Sequence, residues 1–259
     1  RAGLVQTLDQ NGPFTVFAPT NAAFNDFLAD NGFTSLNDIP VDVLREVLLN
    51  HVVNGTNLST SLTTGYVKTL GKGSASDSNT LSMFINTASG VRLNGVASVT
   101  TADIVASNGV IHVVDAVIGL PTVVTHAAAN PGFSTLVSLL TQQNLVSTLD
   151  GTASSPFTVF APNNDAFTTF ETQNPGVLAG LTSAQVTAVL TYHVVAGANV
   201  LSTGIPTTPI TTFETGTFTI AGTTITDESD RQTGIIATDV QASNGVIHVV
   251  NNVLLPAFD

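Results

Sequence analysis

The chain has 259 residues, with six Lys and Arg against eighteen Asp and Glu, for a net charge of −12. That balance excludes nucleic acid and anionic membrane surfaces as natural partners, because phosphate binding needs a basic footprint. It has no cysteine, which removes disulfide and thiolate chemistry, and no apolar run approaches a membrane span. Charged residues make up only 9 % and apolar residues 43 %. Thr, Ser, Asn and Gln must therefore cover the surface, a habit of extracellular β-rich proteins more than of cytosolic enzymes.

Phe14-Thr15-Val16-Phe17-Ala18-Pro19 opens the pattern as a short strand with apolar residues on both faces. Pro19 ends it, and Thr20 or Asn21 can cap a helix carrying Phe24, Phe27 and Leu28 at helical spacing. A second helix is expected from Pro40, with Leu44, Val47, Leu48 and His51 on one stripe. Short strands follow at residues 81–86 and 91–94. Asn94-Gly95 and Asn108-Gly109 read as tight-turn dipeptides, as does Asn244-Gly245 later.

The order then repeats. The block 14–19 returns letter for letter at 157–162, and 106–114 returns at 242–250. A period this long fits two domains rather than a solenoid. In the second copy Asn163 or Asn164 caps a helix with Phe167 and Phe170, and Val186, Val189, Leu190 and His193 line the next. The expectation is two α+β domains, residues 1–120 and 121–259, divided at Gly119-Leu120-Pro121 with limited interdomain freedom.

Each copy carries two histidines that look structural. His51 and His193 lie on the apolar helix stripes, and His112 and His248 alternate in phase with buried valines. Asp103 and Asp239 stand nine residues before them. A His–Asp pair can orient a base for hydrolysis, but no Ser or Thr recurs in a strained elbow. Two recurring histidines per domain are too few for a zinc site unless carboxylates join. The six residues are therefore expected to be buried polar ties between strands and helix, with no catalytic, metal or cofactor role. Asp227, Glu228 and Asp230 lack the alternating ligands and central Gly of a helix-loop-helix calcium site and read as a solvated turn. The sequons Asn54-Gly55-Thr56 and Asn57-Leu58-Ser59 have no counterpart in copy two.

The blocks closely resemble the fasciclin (FAS1) family. The resemblance rests on residues 14–24, on Leu190-Thr191-Tyr192-His193-Val194-Val195 and on the paired Ser-Asn-Gly-Val-Ile-His-Val-Val segments, and it covers essentially the whole chain. It implies two wedge-shaped domains, each an antiparallel β-sandwich with a helical layer, in a secreted or surface-anchored adhesion protein without enzymatic chemistry. It also implies Tyr192, His193 and Val194 as candidates for partner contact, although the same pattern would serve as core packing. Copy one departs from it, with Asn50-His51 in place of Tyr192-His193. The expected partner is a cell-surface or matrix protein or a glycan. The alternative reading is a surface or periplasmic carbohydrate-binding protein, disfavoured mildly by the absence of Trp and the presence of only two Tyr.

The copies also differ at their beginnings. Leu4-Val5-Gln6-Thr7-Leu8-Asp9 aligns with Leu145-Val146-Ser147-Thr148-Leu149-Asp150, before which copy two has an amphipathic stripe of Phe133, Leu136, Val137, Leu139 and Leu140. Domain one is thus expected to lack an opening helix and to expose apolar surface. The natural chain is expected to extend upstream of Arg1, or a second copy to supply the cover as a homodimer.

Overall fold

The computed structural model describes residues 1–10, 12–151 and 153–258. It divides into two compact units, residues 1–121 and 122–259. In the first unit the strands are β1 (Phe14–Pro19), β2 (Val52–Asn54), β3 (Gly65–Gly73), β4 (Ser76–Asn86), β5 (Arg92–Leu93), β6 (Ala97–Ala106) and β7 (Gly109–Val114). They close in sequence order into a barrel. Neighbours are antiparallel except for β7, which closes on β1 in parallel from Phe14↔Gly109 to Pro19↔Val114. The two blocks that recur in the sequence are therefore hydrogen-bonded partners, far apart in the chain and adjacent in the sheet. Phe17, Met83, Ile85, Leu93, Val114 and Ile118 form the core inside.

The helices of this unit form where caps and apolar stripes coincide. Thr20 Oγ1 accepts from Ala23 N at 3.1 Å and starts the helix Asn21–Asp30. The helix Val41–Leu49 follows Pro40 and buries Leu44, Val47 and Leu49. β4 is longer than its apolar stretch suggests, because Ser76-Asp77-Ser78-Asn79 continues the strand with polar residues. An edge exposed to water needs no apolar pattern, so periodicity stops short of it.

The second unit repeats the plan with β8 (Phe157–Pro162), β9 (Val194–Ala196), β10 (Ile210–Thr211), β11 (Thr217–Ala221), β12 (Thr224–Thr226), β13 (Gln232–Ala242) and β14 (Gly245–Val250). The sheet order is β10-β11-β12-β13-β14-β8-β9, again with one parallel pair, β14 on β8. Helices Val123–Ala129, Ser134–Gln142 and Val146–Asp150 precede β8. Among the described residues of the first unit, the single turn Val5–Leu8 is the one helix before β1.

Identical sequence is buried differently in the two units. All six residues of β8 are buried, whereas in β1 only Thr15 and Phe17 are. All of β14 is buried, whereas β7 alternates. The helices before β8 account for this: Val123, Ala127, Leu136 and Leu140 close over Val159 and Ile247 and leave a void of only about 20 Å³. In the first unit Phe14, Val16, Ile111 and Val113 remain half-exposed on the corresponding face. Burial of a strand face is thus set by its neighbours, not by its own residues.

The Asn-Gly dipeptides have two roles. Asn94 and Gly95 both take positive φ, 48° and 68°, in a tight turn. Asn108-Gly109 does not form the centre of its turn: Ala106 pairs with Gly109, so Ser107 and Asn108 occupy the bend and Gly109 begins β7. Glycine is required there by close approach. A Cβ on Gly109 would stand 2.0 Å from Phe14 O, and on Gly245 2.2 Å from Phe157 O. Gly245→Ala is expected to destabilise the second unit by about 3 kcal/mol through forced separation of β14 and β8. Urea unfolding checks this, and an unchanged midpoint contradicts it.

Candidate functional site

His51 and His193 stand at the ends of helices Val41–Leu49 and Ser183–Tyr192, where carbonyls of the last turn lack helical partners. Each ring fills that gap. His51 Nδ1 lies 2.7 Å from Val47 O, and Ile118 N donates to Nε2 at 2.9 Å. His193 repeats both contacts with Val189 O at 2.7 Å and Leu254 N at 2.9 Å. Because Nε2 accepts, the proton sits on Nδ1 and donates to the carbonyl. Each imidazole thus fastens a helix end to the segment beyond the last strand. Burial lowers both histidines from 6.5 to about 4, against the opposing effect of the carbonyl bond.

His112 and His248 lie on β7 and β14 and are fully buried. Phe17 and Phe160 stack on them with ring centroids 5.4 Å apart. His112 Nδ1 accepts from Asp103 N at 3.2 Å, so Nε2–H donates to Asn57 O at 2.8 Å. His248 Nε2 meets Val200 O at the same distance. Burial lowers His248, with the Val200 bond opposing.

Asp103 and Asp239 both adopt φ of 62°, a left-handed conformation that Asp tolerates better than most residues. They lie where β6 and β13 shift register against their partners. Ser59 donates to Asp103 from N at 2.8 Å and from Oγ at 2.5 Å, and Ser202 does the same to Asp239. The Ser59 bonds hold the Asp103 carboxyl below its usual range. At Asp239 burial pushes the other way, yet the Ser202 bonds prevail and the carboxyl is again lowered.

Serine, aspartate and histidine therefore converge in each unit, but in an order that disables hydrolysis. The carboxylate stands between hydroxyl and imidazole. The serine hydroxyl is committed to it, and the imidazole Nε2 faces a backbone carbonyl, so no base faces a nucleophile. The serines were missed in the sequence, although Leu58-Ser59 and Leu201-Ser202 recur at the spacing of the first repeated block.

Tyr192, His193 and Val194 are 0 %, 2 % and 2 % exposed and present no side chain to a partner. Tyr192 OH donates to Thr217 O at 2.6 Å and accepts from Glu228 N at 3.1 Å. Burial pushes its phenol well above the usual range. Val194 pairs with Val159 in the sheet. Asn50 occupies the position of Tyr192 and is also buried. Its Nδ2 donates to Gly119 O at 2.9 Å, and its Oδ1 accepts from Thr69 Oγ1 at 3.1 Å. The two units meet the same need, anchoring a helix end to the sheet, with different chemistry.

In the acidic segment Glu228 and Asp230 are exposed, as in the solvated turn expected, and Asp227 alone departs from that reading. Asp227 is 4 % exposed and paired with Arg231 at 3.1 Å. It also accepts from Leu255 N, while Arg231 donates to Val253 O and lies 4.7 Å over the Phe170 ring. The knot is an ion-paired clasp on the terminal segment, and the four-residue spacing from Asp227 to Arg231 was its signal. Among the described residues no group of three or more His, Asp or Glu could hold a metal ion.

Unfolded, His51 and His193 bind a proton near pH 6.5, and folded only near 4. The unfolded state therefore takes up protons first as pH falls. The stability tied to the neutral rings is complete above about pH 6.5 and is lost progressively down to about 4, on the order of 3 kcal/mol per ring. Denaturant midpoints measured from pH 7.5 to 4 should fall steeply in that window, and a flat profile would contradict the assignment. His193→Ala should cost about 1–3 kcal/mol at pH 7, since it strands Val189 O and Leu254 N. Calorimetry at pH 7 reads this directly.

The family model described as Fasciclin domain matches this chain twice, at residues 1–121 and 131–256. An uncharacterized protein of Synechocystis, sll1735, is 36 % identical over 146 residues, which are 52 % of this chain and 98 % of that protein. Human periostin is 28 % identical over 266 residues, covering 98 % of this chain but 29 % of periostin. Among solved structures, the FAS1 domain pair of the insect cell adhesion molecule fasciclin I superimposes with a TM-score of 0.57 at 20 % identity. The match covers 98 % of this chain and 93 % of that one. Sharing this fold and matched by the family model in each half, the chain belongs to the fasciclin family.

Proposed function

We propose that this chain is a non-enzymatic, extracytoplasmic pair of adhesion modules that binds a cell-surface or matrix protein through surface complementarity. The observation that carries the reading is the doubled fasciclin match, residues 1–121 and 131–256. The hydrogen-bond commitments of the half-exposed serines and aspartates and of the buried histidines support it, because they leave no free base beside a nucleophile. Among the described residues no helix is long and apolar enough to cross a membrane. Two linked modules add avidity when both engage one surface.

Tyr192, His193 and Val194 act in this reading from within. They hold the end of helix Ser183–Tyr192 to the sheet and so fix the loops that a partner touches. The glycan alternative is weakened by the burial of Tyr192, which removes one of only two tyrosines as a sugar platform.

Attachment of cells and of matrix-coated beads to surfaces bearing the chain tests the proposal, with a glycan array beside it. Attachment that soluble chain competes away is expected. Selective glycan binding without attachment to protein-coated beads would replace this reading with the carbohydrate one. Tyr192→Phe removes two hydrogen bonds and should lower stability by about 1–2 kcal/mol while attachment at room temperature persists. Lost attachment with an unchanged melting temperature would instead place the phenol in the contact.

A further inference from the structure

The second unit holds a cleft of about 800 Å³ between helices Ser134–Gln142, Asn164–Gln173 and Ser183–Tyr192. That volume falls within the range of small-molecule sites, about 300–1,000 Å³. Phe167, Val189, Leu190 and Val253 line it as buried apolar side chains, and Leu139 and Leu181 as half-buried ones. His193 is the one buried titratable group among the lining residues, and both its ring nitrogens are already bonded to backbone. Nothing in the depth of the cleft asks for a polar ligand atom. Thr168, Glu171 and Thr172 line it as exposed residues and supply polar groups at the mouth.

Charge narrows the occupant. Glu171 is the only carboxylate lining the cleft, and no Lys or Arg lines it. A carboxylate or phosphate head group would meet a like charge with no counterion, in a protein of net charge −12. Burying such a group without a partner is costly. Thr168 and Thr172 give their hydroxyl protons to Asn164 O and Thr168 O, which leaves their oxygens as acceptors for a ligand hydroxyl.

The corresponding positions of the first unit are packed differently. Residues 30–51 align with 172–193 without a gap, which places Phe33 against Pro175, Ile39 against Leu181 and Leu44 against Val186. Ile39 and Leu44 are buried, 2 % and 5 % exposed, whereas Leu181 and Val186 are half-buried. Pro175 and Val186 are smaller than their counterparts Phe33 and Leu44. Two of the three helices that frame the cleft recur in the first unit, whereas Ser134–Gln142, which supplies Thr135 and Leu139, has no counterpart there among the described residues.

We propose that this cleft binds an uncharged lipophilic small molecule of the long-chain alcohol type, with its chain among Phe167, Leu181, Val186 and Leu190 and its hydroxyl at Thr168 and Thr172. This role is separate from adhesion, which takes place on outer surfaces.

The chain has no Trp, so Leu178→Trp, at a lining residue outside the proposed contacts, gives a single fluorescent reporter. Titration of that variant with 1-decanol and, separately, with decanoate at pH 7 tests the proposal. Native mass spectrometry of the unmodified chain gives stoichiometry. One decanol per chain is expected, with decanoate at least about tenfold weaker, equivalent to about 1.4 kcal/mol. Val186→Phe and Pro175→Phe, which enlarge the side chains toward those of the first unit, should each weaken decanol at least about tenfold while the melting temperature holds. Tighter binding of decanoate, more than one decanol per chain, unchanged affinity in both folded variants, or no binding at all would each overturn the proposal.

Discussion

The parallel pairing of the two repeated blocks is the contact on which each domain depends. β1 and β7, like β8 and β14, lie far apart in the chain, so their closure carries a large loop entropy before any neighbour adds to it. The pairing holds because glycine lets the backbones meet at Gly109 and Gly245, and because Phe17 and Phe160 stack on the histidines of the partner strands. The helices and the remaining strands are attached to this pair. The repeated letters are therefore the ones that a close backbone approach leaves no freedom to change.

Around that pair the fold spends its few buried polar groups on fastening. His51 and His193 tie helix ends to the chain beyond the sheet, and His112 and His248 tie central strands to the segment after β2 and β9. Asp103 and Asp239 hold the same segments through serine. These groups bond through backbone or short side chains, which suits an interior where an unpaired polar atom is costly. The Nδ1 of His248 is the exception, buried without a hydrogen-bond partner. The same arrangement explains why a constellation that resembles a hydrolase in composition does not work as one.

Divergence between the copies is concentrated where the central pair does not reach. Tyr192 and Asn50 solve one anchoring problem differently, and Leu181 and Val186 are half-buried in the second unit where Ile39 and Leu44 are buried in the first. Covering helices bury every residue of β8, while the same letters in β1 alternate. Two copies of one plan thus present different surfaces and different interiors.

The doubling, the α+β class and the helix starts, narrowed to Thr20 or Asn21 and to Asn163 or Asn164, were legible in the sequence, because each rests on local chemistry or on repetition. Other features depended on which segments meet in space. No local pattern says that Asp227 is buried by the terminal segment, that Ser59 and Ser202 bond to aspartates far along the chain, or that Tyr192 and Val194 face inward. The cleft lined by Val186 and Leu181 is likewise a property of three packed helices and not of any one of them. Sequence determines what each segment prefers. Only the packing of segments distant in the chain decides which side chains are removed from water, and with that which remain available to bind.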